Sequence, residues 1–198
     1  IGFKYIGDVM NRLEKEGQFE RFLFVCEESH GYLAGNYARD KDAVTAAIWL
    51  AELAAELKKE QKTLVDYLNE IYTSYGYFKN YLTEIRLLGA TGHEKINKIQ
   101  SALRNNPLQK LGEYTVTQFE DVQRRLPLVS ETDKTAKDIV IFKLDPGDEA
   151  ESIKITVRPS GTEPKINMYF EIGMHPTSAE ELSTVQSNVF ALLKHLER

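Results

Sequence analysis

Two stretches of alternating apolar and polar residues near the end of the chain constrain its fold more than any other feature. Their apolar positions are Ile153, Ile155 and Val157 in the first stretch, and Ile166, Met168, Phe170 and Ile172 in the second. Successive side chains of a strand point to opposite faces, so alternation is typical of strands with one buried face. The pattern predicts two half-buried strands of an antiparallel sheet.

The surrounding chain predicts the rest of an antiparallel α+β domain over residues 78–198. Further strands are expected at 81–88, 114–122 and 139–144, a turn at 145–148 and a mobile loop at 130–137. Thr91 with Glu94, and Ser178 with Glu181, have the spacing of capping boxes that begin helices. The inward residues of these helices are expected to be Ile96, Ile99 and Leu103 in the first, and Leu182, Val185, Val189, Leu192 and Leu196 in the second.

Residues 1–77 have a different pattern. Residues 22–26 form a continuous apolar run, typical of a strand buried on both faces in a parallel sheet. A polar loop over 27–40 should follow, then a helix capped by Asp40 and a second helix that begins at 63–66 and ends at Gly76. Their apolar faces are expected to be Ala43, Ala47, Leu50, Leu53 and Leu57, and Leu64, Leu68, Ile71 and Tyr75.

One strand cannot form a sheet, so residues 1–77 are expected to be the last part of an α/β domain whose other strands precede them. The predicted fold class is therefore α/β plus α+β. A partial α/β domain with the order strand–loop–helix–helix is followed by a small antiparallel-sheet domain with flanking helices.

Charge and composition exclude several classes of protein. The net charge of −5 and the lack of a basic run argue against a nucleic-acid partner. The most apolar stretch, 43–57, is interrupted by Glu52 and Glu56, which argues against a membrane span. The single cysteine, Cys26, rules out a disulfide framework within the chain, favours the reducing cytoplasm, and is expected to be an inert thiol in a buried strand. The four histidines show no metal-ligand spacing.

The segment between the two alternating strands, Arg158–Lys165, has the composition of a phosphate site. Arg158 offers a planar fork for two phosphate oxygens, and Lys165 adds a second cation. Ser160 and Thr162 offer hydroxyl donors, and Gly161 can take a positive φ that aims backbone amides at one point. The alternative is an ordinary hairpin loop, because Ser, Gly, Thr and Pro are also the usual residues of turns. Composition leaves both interpretations open.

A second candidate site follows the predicted buried strand. Glu27 and Ser29 could hydrogen-bond adjacent hydroxyls of a sugar ring, and ligands of α/β sheets bind at the carboxyl ends of strands. On spacing alone, a polar loop without a ligand is the favoured alternative.

Both segments resemble those of one enzyme family. Arg-Pro-Ser-Gly-Thr-Glu-Pro-Lys at 158–165 closely resembles the phosphate-binding loop in the last domain of the α-D-phosphohexomutases. Glu-Glu-Ser-x-Gly-Tyr at 27–32, followed by Arg-Asp-Lys-Asp-Ala-Val at 39–44, looks like the sugar-binding loop in the third domain of its bacterial phosphoglucomutase type. Residues 2–6 resemble a segment before that loop whose lysine reaches the substrate, which makes Lys4 a third candidate. The alternative for Lys4 is an exposed surface lysine.

The resemblance implies the roles of these residues. Arg158, Ser160, Gly161, Thr162 and Lys165 would hold the phosphate that is not being transferred, while Glu27 and Ser29 contact the ring. The phosphomannomutase branch commonly has Gly-Glu-Met-Ser-Gly-His, and this chain has Gly31 where that pattern has its histidine. The departure favours glucose phosphate over mannose phosphate.

The resemblance also implies what the intact enzyme does. It would interconvert glucose 1-phosphate and glucose 6-phosphate through a phosphoserine and glucose 1,6-bisphosphate, with magnesium as cofactor. Neither the family's phosphoserine pattern, Thr-x-Ser-His-Asn-Pro, nor its magnesium pattern, Asp-x-Asp-x-Asp-Arg, occurs in the sequence. The chain is thus expected to contain no catalytic or metal-binding residue and to be inactive alone.

The expected partners are a hexose phosphate and the N-terminal domains of the same protein, in a cytoplasmic monomer or weak dimer without nucleic-acid or membrane contacts. Alternatives are a mutase for mannose, aminosugar or pentose phosphates, and a sugar-phosphate binding module without catalytic function.

Overall fold

The structure is a computed structural model that describes residues 2–27, 31–89, 91–124, 138–148, 150–161 and 163–197. The chain forms two compact units, and the division between them falls after Tyr67. This division lies before the predicted domain boundary at residue 77, which stays a prediction. The predicted fold class is confirmed, because helices accompany a six-stranded antiparallel sheet in the part that the structure describes.

The first unit is built from helices and a small hairpin. Helix α1 is Lys4–Lys15, strand β1 is Phe24–Glu27, strand β2 is Gly31–Ala34 and helix α2 is Ala43–Lys59. Helix α1 was not predicted, although Phe3, Ile6, Met10 and Leu13 have helical spacing. Phe3 and Met10 form the buried core of this unit together with Phe22 and Leu33.

Strand β1 differs from its prediction. It pairs antiparallel with β2, which occupies part of the segment predicted to be loop. Phe22 is buried, but Leu23 is 71% exposed and Cys26 is exposed as well. The expectation of a doubly buried parallel strand with a core thiol is therefore wrong. The physical reason is that β1 pairs with β2 alone within the described ranges, and the described elements do not cover both faces of β1.

Local hydrogen bonds cap α2 and the helix that follows it. Asp42, not Asp40, caps α2, since its Oδ1 accepts the Val44 amide at 2.9 Å. Asp40 instead accepts the amide of Lys41 at 2.8 Å. Helix α3 is Leu64–Tyr75, and it begins as predicted with Thr63 Oγ1 accepting the Asp66 amide at 3.1 Å.

Gly76, with φ of +95°, ends α3 as predicted, and its amide donates to the Tyr72 carbonyl at 2.9 Å. The predicted apolar faces of α2 and α3 are only partly buried. Leu57 is buried, whereas Leu50 and Tyr75 are 54% and 74% exposed.

The second unit is organised around the six-stranded sheet. Strand β3 is Tyr77–Arg86, helix α4 is Gly92–Asn105 and helix α5 is Leu182–Leu196. The other strands are β4 (Lys110–Leu111), β5 (Tyr114–Asp121), β6 (Val140–Leu144), β7 (Ser152–Pro159) and β8 (Lys165–Met174). The strand order is β3-β8-β7-β6-β5-β4, and every pairing is antiparallel. This order places the β7–β8 hairpin beside β3.

The alternation that predicted β7 and β8 is confirmed. Its apolar positions are buried apart from Met168, which is half-buried against the core. The predicted inward residues of α5 are also buried apart from the half-buried Leu196. In α4, Ile96 is buried, but Ile99 is 40% exposed and Gln100 is buried instead.

One of the two predicted capping boxes is absent and the other is formed in part. Thr91 makes no side-chain cap on α4, so that box is wrong. Before α5, Ser178 Oγ accepts the Glu181 amide at 3.4 Å, but Glu181 reaches back to the amide of Thr177 rather than Ser178.

The turn at 145–148 is confirmed by the Gly147 amide, which donates to Asp145 Oδ1 at 3.1 Å. The loop predicted at 130–137 lies outside the described residues. Among the described helices, none has an apolar stretch long enough to cross a lipid bilayer.

Candidate functional site

The candidate phosphate loop, residues 158–165, connects β7 to β8 and is held by its own backbone. The Ser160 amide donates to the Lys165 carbonyl at 2.9 Å, and the Lys165 amide donates to the Glu163 carbonyl at 2.8 Å. Ser160 Oγ accepts the Glu163 amide at 3.2 Å. These bonds make a closed hairpin, the context in which the loop was predicted.

Arg158 lies at the end of β7 and is half-buried. Among the described residues, its guanidinium has no ion-pair or hydrogen-bond partner. Gly161 is exposed, and a Cβ built there would meet no atom within 4 Å, but its φ is not positive. The glycine therefore leaves the loop open without supplying the left-handed conformation that was expected. Thr162 lies outside the described residues.

Lys165, at the other end of the loop, is already paired. Its ammonium contacts Glu84 Oε1 at 2.7 Å and Glu163 Oε2 at 2.8 Å. The other oxygen of Glu84 accepts from Arg86 at 2.8 Å. We call Glu84, Arg86, Glu163 and Lys165 the charge cluster.

Ionisation within the charge cluster is mutually favoured. The hydrogen bond to Glu163, followed by that to Glu84, raises the pKa of Lys165. The hydrogen bond to Lys165 lowers the pKa of Glu84 and that of Glu163. Sequence reasoning missed Glu84 and Arg86, because the partners Glu84 and Lys165 are 81 positions apart and only the sheet register brings them together.

A row of polar side chains extends from Arg158 across the sheet. Asn167 of β8 pairs with Arg158 of β7 on one side and with Glu84 of β3 on the other. Directly opposite residues of antiparallel strands share a face, so the three side chains lie on the same face. Asn167 Oδ1 is buried and has no hydrogen-bond partner in the described part of the chain, while its Nδ2 lies 3.4 Å from the Tyr169 hydroxyl.

The base of the loop rests on the segment between β3 and α4. The Leu87 amide donates to the Pro164 carbonyl at 2.9 Å. A Cβ on Gly92, the first residue of α4, would lie 3.1 Å from the Pro164 Cβ and would collide with the Leu87 carbonyl oxygen. The glycine thus permits the close approach that supports the loop.

Glu27, the first candidate sugar contact, is the last residue of β1 and pairs with Gly31. Its carboxylate lies across this glycine, so that a Cβ on residue 31 would be 2.6 Å from Oε1. The absent side chain at Gly31 therefore makes room for the carboxylate. Ser29, the second candidate, lies outside the described residues.

Two lysines belong to the same unit as Glu27. Lys4 is exposed in the first turn of α1, with its ammonium 5.8 Å from the centre of the Tyr5 ring. Lys41 contacts Asp40 Oδ1 at 3.0 Å. This hydrogen bond is the main cause of the raised pKa of Lys41, and the charge of Glu27 also raises it. Lys41 is thus a cation near Glu27 that was not among the predicted site residues.

The structure brings together Arg158, Ser160, Gly161 and Lys165 in one hairpin of the second unit. Glu27 and Lys4 belong to the first unit. Within the described ranges, no three His, Cys, Asp or Glu side chains form a group that could hold a metal ion. The described residues therefore do not fit a magnesium site.

The chain matches known proteins over most of its length. A family model described as "Phosphoglucomutase/phosphomannomutase, alpha/beta/alpha domain III" matches residues 1–75. A "Probable phosphomannomutase" of Haemophilus influenzae is 36% identical over 183 residues, which are 91% of this chain and 32% of that protein. A "Phosphoglucomutase" of Staphylococcus aureus is 35% identical over 177 residues, 86% of this chain and 30% of that protein. The chain spans about a third of the length of these relatives.

Proposed function

The chain belongs to the phosphoglucomutase/phosphomannomutase family, and from this premise we propose that it is the substrate-holding part of a phosphoglucomutase. The intact enzyme would interconvert glucose 1-phosphate and glucose 6-phosphate. The observation that carries the proposal is Arg158. Its guanidinium has no partner among the described residues, and it lies in a loop whose tip, at Gly161, faces open space.

In the proposed mechanism, this chain binds and orients. Arg158 donates to two oxygens of the phosphate that stays on the sugar, and Ser160, Gly161, Thr162 and Lys165 complete the loop around it. Glu27 and Ser29 hydrogen-bond the ring hydroxyls, with Lys4 as a further contact. Phosphoryl transfer depends mainly on positioning and on charge stabilisation, so a part that only holds the substrate can still determine the rate.

The phosphoryl group itself would pass between a phosphoserine elsewhere in the protein and the sugar, through glucose 1,6-bisphosphate. After the first transfer, the bisphosphate has to present its other phosphate to the serine. The Arg158 loop would then hold whichever phosphate is distal, and Glu27 would contact the ring in both orientations.

The proposed partners of this chain are other domains of the same protein. The preceding domains of the same protein would supply the phosphoserine and the magnesium site, and would cover apolar side chains such as Leu23 and Phe24, which are 71% and 43% exposed here. The assembled protein would be a cytoplasmic monomer or weak dimer without nucleic-acid or membrane partners.

A second candidate substrate is mannose phosphate, because one relative is named a probable phosphomannomutase. The resemblance of residues 27–32 to the phosphoglucomutase pattern supports glucose, and a side chain at residue 31 would collide with Glu27. The ratio of kcat/KM for glucose 1-phosphate and mannose 1-phosphate in the intact enzyme decides between them. A ratio below one would replace the glucose proposal with the mannose one.

The phosphate site is tested by titrating the isotope-labelled chain with glucose 6-phosphate. We expect the amide resonances of Ser160 and Gly161 to shift first, with no turnover of glucose 1-phosphate by the chain alone even in the presence of the bisphosphate. Shifts confined to other segments would remove the physical basis of the assignment. Turnover by the chain would contradict its role as a holding part.

A further inference from the structure

We propose that Glu84 is a positioning residue of the phosphate loop, and that it holds Lys165 as a structural anchor rather than as a direct phosphate ligand. The inference rests on the proposed function and changes the role of one residue within it. It also brings in a strand, β3, that lies outside the loop in sequence.

The geometry of the charge cluster supports this role. The Lys165 side chain is only 14% exposed and lies within 2.8 Å of a carboxylate oxygen on each of two glutamates. Glu84 belongs to β3, whereas Glu163 belongs to the loop. Lys165 therefore ties the loop to the neighbouring strand. Arg86 bridges the same two glutamates, because its guanidinium lies 2.8 Å from Glu84 and 3.7 Å from Glu163.

The backbone transmits this anchoring to the loop. The Lys165 carbonyl accepts the Ser160 amide and the Lys165 amide donates to Glu163, so both ends of the turn depend on the position of Lys165. A loop that is already fixed loses less conformational entropy when it closes on a ligand. The anchor therefore strengthens phosphate binding without touching the phosphate.

Charge balance argues against direct binding by Lys165. The cluster contains two cations and two carboxylates, so its formal charge is zero. To reach a phosphate, the ammonium would have to leave hydrogen bonds to both glutamates, whose charges also repel an anion. Arg158, with no partner among the described residues, is left as the cation that attracts the phosphate.

The two roles of Lys165 predict opposite effects of Glu84→Gln. If Lys165 bound phosphate directly, removing the negative charge of Glu84 would release the lysine and tighten binding. If Glu84 positions the loop, the same change loosens the loop and weakens binding of inorganic phosphate by about three- to fivefold, the range expected for a modest ion-pair contribution. The Kd is measured from the Ser160 and Gly161 amide shifts of the full 198-residue chain. An unchanged or tighter Kd would overturn the inference.

Glu171→Gln is the matched control. Glu171 forms a 2.7 Å ion pair with Lys154 across β7 and β8, away from the loop. The control should leave the Kd unchanged even where thermal unfolding shows a similar loss of stability. A general loss of stability that weakened binding equally in both variants would contradict a positioning role.

A double-mutant cycle tests whether Glu84 and Lys165 act as a unit. We expect Glu84→Gln and Lys165→Met together to weaken phosphate binding less than the product of their separate effects. Independent, multiplicative effects of the two substitutions would refute the anchoring role of Lys165.

A different set of outcomes would contradict the proposed function itself. It fails if phosphate does not shift the loop amides of the wild type, or if Arg158→Gln leaves the Kd for phosphate unchanged. If Arg158→Gln weakens phosphate binding and Glu84→Gln does not, only the role of Glu84 is contradicted.

Discussion

Arg158 and Lys165 lie at opposite ends of one loop and look equivalent in the sequence, but their surroundings differ. Two carboxylates neutralise Lys165, whereas no described residue does so for Arg158. A cation without a partner at a half-buried position keeps its charge available for a ligand, and its planar fork matches a phosphate. The loop therefore has one cation for binding and one for its own structure.

The Arg158→Gln variant tests this division. Losing a hydrogen-bonding fork to a charged oxygen should cost about 2–3 kcal/mol, or about 30- to 150-fold in the Kd for glucose 6-phosphate. Calorimetric titration of the chain measures it. Lys154→Gln, on the same strand and face but paired with Glu171, is the control and should change the Kd little. Equal losses in both variants would mean that only overall charge matters.

Gly31 gives a second prediction at the residue scale. In Gly31→Ala, the new Cβ would collide with the Glu27 carboxylate and push it from its place. We expect KM for glucose 1-phosphate in the intact enzyme to rise, by about tenfold for one displaced hydrogen-bonding group. Gly7→Ala is the control, because that glycine lies inside α1 with no atom within 4 Å of its Cβ. An unchanged KM in Gly31→Ala would argue against Glu27 as a sugar contact.

The charge cluster gives a pH-dependent prediction. Hydrogen bonds to Lys165 lower the pKa values of Glu84 and Glu163, so both carboxylates bind protons less readily in the folded chain. Their contribution to stability is present above the ordinary pKa of glutamate and is lost as the pH falls through the lowered values. The difference in Tm between wild type and Glu84→Gln should therefore be constant near neutrality and vanish in acid. A difference that grows on acidification would contradict this linkage.

At the scale of elements, sequence patterns predicted the strands and helices whose formation depends on neighbouring residues. The alternation in β7 and β8 and the apolar face of α5 indicated both type and orientation, because one face of each packs on a single core. The apolar run before Glu27 predicted a strand but not its burial, since a run of this kind does not reveal how many layers cover it. The pairing of Glu84 with Lys165 depends on the register of strands distant in sequence, which no local pattern shows.

The contact between α4 and the loop gives a prediction for this scale. Gly92→Ala would drive a Cβ into the Leu87 carbonyl, which belongs to the backbone and cannot rotate away. We expect a loss of about 1–3 kcal/mol in the free energy of unfolding, together with shifted amide resonances at Leu87 and Lys165. His93→Ala, at the exposed next residue of the helix, is the control and should leave those resonances in place. Wild-type stability in Gly92→Ala would show that the helix moves freely away from the loop.

At the scale of the whole molecule, the two units differ in how well they bury their apolar residues. The second unit has a continuous core between its sheet and the helices α4 and α5. Among the described residues of the first unit, the buried cluster consists of Phe3, Met10, Phe22 and Leu33, while Leu23, Trp49 and Leu50 are each at least 46% exposed. Exposed apolar area contributes nothing to the free energy of folding, so the first unit is expected to be the less stable one.

Hydrogen exchange of the chain tests this difference. We expect amides of β7, β8 and α5 to exchange at the rate of global unfolding, and those of β1 and α2 to exchange faster through local opening. If the proposed preceding domains are added in the same polypeptide, exchange in β1 and α2 should slow and that in the second unit should stay unchanged, because the new surface would cover Leu23, Phe24 and Trp49. If β1 and α2 were already as protected as β8 in the chain alone, their exposed apolar side chains would not mark a surface that needs a partner.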